Sequence, residues 1–257
     1  WVKRLHPALV VPDIWNKIML PIIAQAGQND LVRQMFFADP FHEILVNTKP
    51  NGLVDDNAPD AWVNIQTTFG TSRMYAYEAS RPDADGTTAG TMAHRPCSAA
   101  GRLPWVNVTA PQAAAACVAI GARLCYENEW QGGCEGNAVP TCTYAYGAMC
   151  TTYQPNTCNG NDYDSDPARP GDQDSVYPTG HFGQCYMQWG SDTGARLFDM
   201  SGNVKEWTAP RAAGINPLRG GSYNNPQAGL ACSYNFTLAD DAFLFSNVGF
   251  RCCQDVP

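Results

Sequence analysis

Ile14, Ile18, Ile22 and Ala26 recur at four-residue spacing, which predicts an amphipathic helix after Pro12 with Asp13 as its cap. Pro21 should kink or end its first piece. Leu31, Met35 and Ala38 predict a second helical set after Asn29-Asp30. Two readings of this segment are open: a helix packed on the main domain, or an arm docked on another subunit. The cluster Met35-Phe36-Phe37 is large to leave in water and favours a partner contact. Residues 47–60, with Pro50, Asn51-Gly52, Asp55-Asp56 and Pro59, read as a loop or boundary. The expected division is therefore an N-terminal extension over 1–70, partly helical, and a domain over 71–257.

From about Trp62 the texture changes. Apolar runs shorten, and Gly, Pro, Asn and Asp are spread throughout, so strands should be short. Thr109 predicts a cap for a helix over Pro111–Gly121, with Pro111 in its first turn and Gly121 ending it. Glu127–Gln131 reads as a second short helix, and no helix is expected beyond Gly132. The stretch 133–190 is nearly all loop chemistry and needs cross-links or ions to hold it.

Composition sharpens this. Among 257 residues, 44% are apolar and 16% charged, as in a globular chain. Sixteen basic against twenty-four acidic residues give a net charge of −8, which argues against a nucleic-acid partner. No apolar run is long enough for a membrane span. The chain begins with Trp1 rather than Met and reads as a mature or trimmed product. All eleven cysteines fall between Cys97 and Cys253. That density points to disulfides and an extracytoplasmic setting: secreted, periplasmic or cell surface. Zinc would need CxxC pairs or histidines at ligand spacing. Cys134, Cys142, Cys150 and Cys158 instead recur every eight residues, apart from His6, His42, His94 and His181. An odd count leaves one thiol over. Cys252 and Cys253 are adjacent, so on a strand they should face opposite ways and join different partners.

Four motifs carry a resemblance. They are Tyr77-Glu78-Ala79-Ser80-Arg81-Pro82, Gly121-Ala122-Arg123-Leu124-Cys125-Tyr126-Glu127-Asn128-Glu129-Trp130, Phe198-Asp199-Met200-Ser201-Gly202-Asn203-Val204-Lys205-Glu206-Trp207, and Leu218-Arg219-Gly220-Gly221-Ser222-Tyr223, closed by Gly249-Phe250-Arg251-Cys252. In this order they resemble the formylglycine-generating enzyme (sulfatase-modifying factor) family over about residues 72–254. The resemblance implies an irregular C-type-lectin-like α+β fold of low regular content. It makes Trp130 and Trp207 packing residues.

Asp199 and Glu206 bracket a Gly-Asn turn, and two carboxylates with freed carbonyls suit calcium. The resemblance implies ligands at Asp199, the Gly202 carbonyl, the Val204 carbonyl and Glu206. The alternative is carboxylates capping backbone N–H groups. A second calcium set maps onto Asn156, the Thr157 carbonyl, Asp172 and Asp174. Asp162, Asp164 and Asp166 imitate the start of an EF-hand loop, but Pro167 replaces the glycine.

The family's oxidase holds copper(I) on two thiolates just after the Gly-Gly-Ser strand, and soft thiolates suit that ion. Here the first position reads Asn225 and the second falls near Leu230, with no cysteine before Cys232. Copper is therefore not expected, and an enzymatic role is doubted. The resemblance also implies a Cys134–Cys252 bridge, and a bridge from Cys232 to Cys142 or Cys150. Ser222 is not in a nucleophile elbow and is expected to bond backbone. No histidine cluster supports an iron site. Asn107-Val108-Thr109 and Asn235-Phe236-Thr237 have the form of glycosylation sequons.

The expected function is a non-catalytic, calcium- and disulfide-stabilised binding or structural module of an exported or surface-exposed bacterial assembly. Its N-terminal segment would dock on protein partners or other subunits. Its binding surface would comprise Asn224, Asn225, Tyr234 and Asn235. Two alternatives stand beside it: a copper-dependent oxidase making formylglycine from peptidyl cysteine, and a diversified ligand-binding protein of the retroelement-variable kind.

Overall fold

Two neighbouring strands, β1 (Trp62–Thr67) and β2 (Gly70–Tyr75), pair antiparallel from Trp62↔Tyr75 to Thr67↔Gly70. Val63 and Ile65 alternate inward on β1, as a half-buried strand requires. The computed structural model describes residues 60–256 other than 69, 138–140, 172–173, 191–194 and 237. The helices expected around Ile14–Ala26 and Leu31–Ala38 lie outside the described residues, as does the Met35-Phe36-Phe37 cluster.

The C-terminal strand β9 (Cys252–Asp255) sits between β2 and the two-residue β3 (Arg123–Leu124), antiparallel to both. The sheet order is thus β1-β2-β9-β3, with the last strand of the domain beside its second. Trp62–Thr67 and Gly70, assigned to the extension from sequence, pair within this sheet.

Helix α1 (Ala110–Ala119) starts where its chemistry dictates. The Gln112 N–H donates to the Thr109 hydroxyl and the Gln112 side chain accepts from the Thr109 N–H, a reciprocal capping box. Gly121 follows with φ +70°, a left-handed residue closing the turn. Helix α2 runs Glu127–Glu135, four residues longer than the sequence suggests. Its buried Trp130, Gly133 and Cys134 pack inward, and that burial outweighs the poor propensity of Gly132-Gly133. Beyond it, the described residues hold the 3₁₀ turns Gly147–Met149 and Gln227–Leu230 and no further α-helix.

Two small sheets complete the core. The first pairs β4 (Tyr186–Gln188) with β5 (Arg196–Phe198). The second orders β7 (Leu218–Arg219), β6 (Lys205–Trp207) and β8 (Val248–Phe250), with β6 and β8 parallel. Fully buried Trp130 and Trp207 lie in the two main core clusters, and Trp105 and Trp189 are nearly so.

Five disulfides tie the irregular stretches: Cys117–Cys252, Cys125–Cys253, Cys134–Cys232, Cys142–Cys150 and Cys158–Cys185. Cys252 and Cys253 do take different partners, as strand alternation requires. The pairings implied by resemblance are corrected. Cys252 joins Cys117, at the end of α1, while Cys134 turns to Cys232. Cys142 and Cys150 then close a local loop with each other. The eleventh cysteine, Cys97, is buried and lies outside these bridges. Bridges of this number form in an oxidising compartment outside the cytoplasm. Among the described residues no helix is long and apolar enough to cross a membrane.

Candidate functional site

The Asp199–Trp207 turn is held from beneath by a buried charge cluster. Arg251 and Glu206 are both fully buried and paired fork to fork, Nε to Oε2 and Nη2 to Oε1, each at 2.6 Å. The Trp130 indole N–H also donates to Glu206 Oε2 at 2.6 Å. Arg251 also donates to the carbonyls of Tyr75 and Phe198, 3.0 and 2.9 Å away. One guanidinium thereby links β2, β5, β6 and, through Trp130, α2.

Glu78 holds the turn itself. Its Oε1 accepts from the Val204 N–H at 3.0 Å and its Oε2 from the Asn203 carboxamide at 2.6 Å. Asn203 sits at φ +61° and also accepts from the Tyr177 N–H and from Asn159. Asp199, at φ +57°, accepts from the Gly180 N–H at 2.6 Å. Gly202 is obligatory in this fold, because its φ is +113° and a Cβ would fall 2.3 Å from the Asn159 carbonyl oxygen. Three buried carboxylates share one guanidinium. Burial first, then Asp199 and Glu206, push Glu78 well above the usual carboxylate range. Burial raises Asp199 to about 7, with Glu206 adding to the rise.

This geometry tests the calcium expectation. Both Glu206 oxygens are committed to a cation and an indole N–H, and a dication placed on Glu206 would lie against Arg251. Asp199 caps a backbone N–H, the alternative weighed for it. Among the described residues, the one set of three Cys, His, Asp or Glu ligand atoms within 4.8 Å of one another is Cys125, Glu129 and Cys253, whose two sulfurs are bonded together. The set Asp199, Gly202, Val204 and Glu206 does not fit a calcium ion. Of the second set, Asn156 is exposed at φ +59°, and its N–H donates to Asp162 at 2.5 Å. Thr157 and Asp174 are half-buried. Asp172 lies outside the described residues. Asp164 accepts from the Asp166 N–H, a local turn bond.

On the outer side of the same turn lies a second cluster, whose centre, Lys205, the sequence does not single out. Lys205 projects from β6 opposite to Glu206, and its ammonium donates to Ser222 Oγ at 2.9 Å. The Ser222 hydroxyl is 2.8 Å from the carboxamide oxygens of both Asn224 and Asn225. Asn247 Nδ2 donates to Ser222 Oγ at 3.2 Å and to Asn224 Oδ1 at 3.0 Å. The Ser222 hydroxyl therefore serves side chains rather than backbone, while its main chain closes the turn, the N–H donating to Asn225 Oδ1 and the carbonyl accepting from the Asn225 N–H. The Phe236 ring lies 5.1 Å from Lys205 Nζ and packs edge-on against exposed Tyr234. Burial lowers the Lys205 ammonium to about 8. Of the expected binding surface, Asn224, Asn225 and Tyr234 converge here. Asn235 is exposed and accepts from Arg211 instead. The only sequence signal was the alternation of β6, which sends Lys205 and Glu206 to opposite faces.

At the positions where two thiolates would follow the Gly-Gly-Ser strand, Asn225 is tied to Ser222 and Leu230 is buried. Cys232 is in a disulfide with Cys134. His94 and His181 are exposed and far apart in sequence.

These features define a disulfide-stapled, irregular α+β domain of C-type-lectin-like architecture, whose turns are held by buried charge. Residues 54–256 match the sulfatase-modifying factor enzyme 1-like domain, and the chain belongs to that family. No curated protein matches it. Among solved structures it is similar to CarF, at 16% identity and TM-score 0.52, over 77% of this chain and 99% of that one. It is also similar to PvdO from Pseudomonas aeruginosa, at 14% identity and TM-score 0.49, over 81% and 100%. At these identities the likeness to CarF shows the fold alone.

Proposed function

We propose that this domain is a non-catalytic binding module of an exported or surface-exposed bacterial assembly. It presents the surface around Asn224, Asn225 and Tyr234 on a scaffold held by five disulfides. The observation that carries the reading is the chemistry after Ser222. Asn225, knotted to Ser222, and the buried Leu230 stand where the family's oxidase keeps its thiolates, and the next cysteine, Cys232, is bonded to Cys134. Oxygen activation at copper(I) needs soft thiolates, and neither amide nor disulfide supplies one. The N-terminal segment, with its apolar Met35-Phe36-Phe37, would tie the module to its partner subunits.

The test is a thiol count under denaturing, non-reducing conditions, a copper(I) titration, and a peptidyl-cysteine oxidation assay. The module reading expects one thiol per chain, no one-to-one copper uptake and no aldehyde product. Tight stoichiometric copper with formylglycine formation would replace it with the oxidase.

A further inference from the structure

Count the hydrogen-bonding atoms around Lys205. An ammonium has three donors. One goes to Ser222, and among the described residues no other acceptor is within reach of the remaining two. Asn224 uses its oxygen twice, for Ser222 and Asn247, which leaves its NH₂ group to donate outward. Asn225 accepts from the Ser222 N–H, and its oxygen shares the single Ser222 hydroxyl proton with Asn224. The internal network thus consumes acceptors and turns donors toward solvent. Lys205 is half-buried and Asn224 exposed, so these donors are reachable.

Among the described residues no carboxylate pairs with the lysine. Its neighbour Glu206 faces the other way and is paired with Arg251. Arg219 of β7 turns to Glu127, and β8 brings the uncharged Val248 and Phe250. In a chain with eight more acidic than basic residues, a partly desolvated ammonium without a counter-ion is an open place for an anion. The site has one positive charge and neutral amides, which matches a singly charged group rather than a phosphate. Phe236 and Tyr234 add an apolar aromatic wall beside it.

We infer that Lys205, Asn224 and Asn225 form a carboxylate-binding site, with Phe236 and Tyr234 receiving an apolar group next to that carboxylate. The inference rests on the binding-module reading and names what the module holds: a peptide carboxylate flanked by an apolar side chain. The carboxylate comes either from a chain terminus or from an acidic side chain.

NMR titration of the full chain separates these sources. The probes are N-acetylphenylalanine, N-acetyl-aspartyl-phenylalaninamide, and N-acetylphenylalaninamide, which has no carboxylate. At a pH well below 8, at least one carboxylate probe should shift the Asn224 and Asn247 side-chain amides saturably. The uncharged amide should bind at least about tenfold more weakly. Preference for the first probe identifies a chain terminus, and preference for the second an acidic side chain. Lys205→Met should abolish the response. Should that variant not fold, the unmodified chain supplies the same test, because binding should fade as pH rises well above 8 and the ammonium loses its proton. Equal binding of the uncharged amide, persistence in Lys205→Met or at high pH, or no response to either carboxylate overturns the inference. No copper and no thiol peptide is present, so a failure here is distinct from the discovery of oxidase activity, which would overturn the module reading instead.

Discussion

At the scale of single residues, the stability of the fold concentrates on Arg251. Its guanidinium satisfies Glu206 and two backbone carbonyls from strands far apart in sequence. A buried pair contributes little against an apolar replacement of both partners, but removing one partner strands the other's charge. Arg251→Met should therefore cost roughly 3–5 kcal/mol, read from urea unfolding of the oxidised protein. The carboxylates around it set the pH dependence. Asp199 titrates near 7 in the fold against about 3.9 in an unfolded chain, and Glu78 is raised in the same direction. Between those values the folded state binds more protons than the unfolded one, so stability falls as pH rises. The thermal midpoint should be higher near the lower end of that window than above 7, and Asp199→Asn should flatten the slope. A midpoint rising across the window would show the carboxylates to be ionised and otherwise neutralised.

At the scale of elements, α1 is held at its start by local chemistry. Thr109→Ala removes one side of the capping box and should lower stability by about 1 kcal/mol, measurable by chemical denaturation. Gln112→Ala should remove the other side and cost less, since the Thr109 hydroxyl still accepts. This helix was legible in the sequence because cap, Pro111 and Gly121 are read within a dozen residues. The strands were not. Of the nine among the described residues, six have three residues or fewer, too short for an alternation to stand out, and pairing reaches across the chain, as between Arg73 and Gln254, 181 residues apart. The turn at Gly202-Asn203 was legible as a motif, but its holder was misread. The sequence suggested an ion between Asp199 and Glu206, whereas Glu78 from another motif caps Val204 and Arg251 occupies Glu206. Asn224, Asn225 and Tyr234 were legible as a surface. Lys205 was not, because what distinguishes it is the lack of a carboxylate nearby, which only the folded arrangement reveals.

At the scale of the whole molecule, regular structure is too sparse to fix long loops, and covalent closure does it. Two bridges anchor the terminal strand: Cys252 to the end of α1 and Cys253 to the residue just after β3. They close 135 and 128 residues, whereas Cys142–Cys150 closes only 8. In the chain-entropy account, the gain grows with the logarithm of the loop. By that account Cys125–Cys253 contributes about 5 kcal/mol and Cys142–Cys150 about 2.5 kcal/mol. The paired variants Cys125→Ala/Cys253→Ala and Cys142→Ala/Cys150→Ala should differ accordingly in unfolding free energy, the first being much the weaker fold. All four of these cysteines lie in one core cluster, so both variants also lose packing and the loop length is what separates them. If the local bridge proved the costlier loss, the region 142–150 beside Tyr144 and Tyr146 would be the part that holds the domain together, and the β1-β2-β9-β3 sheet would be stable without its staples.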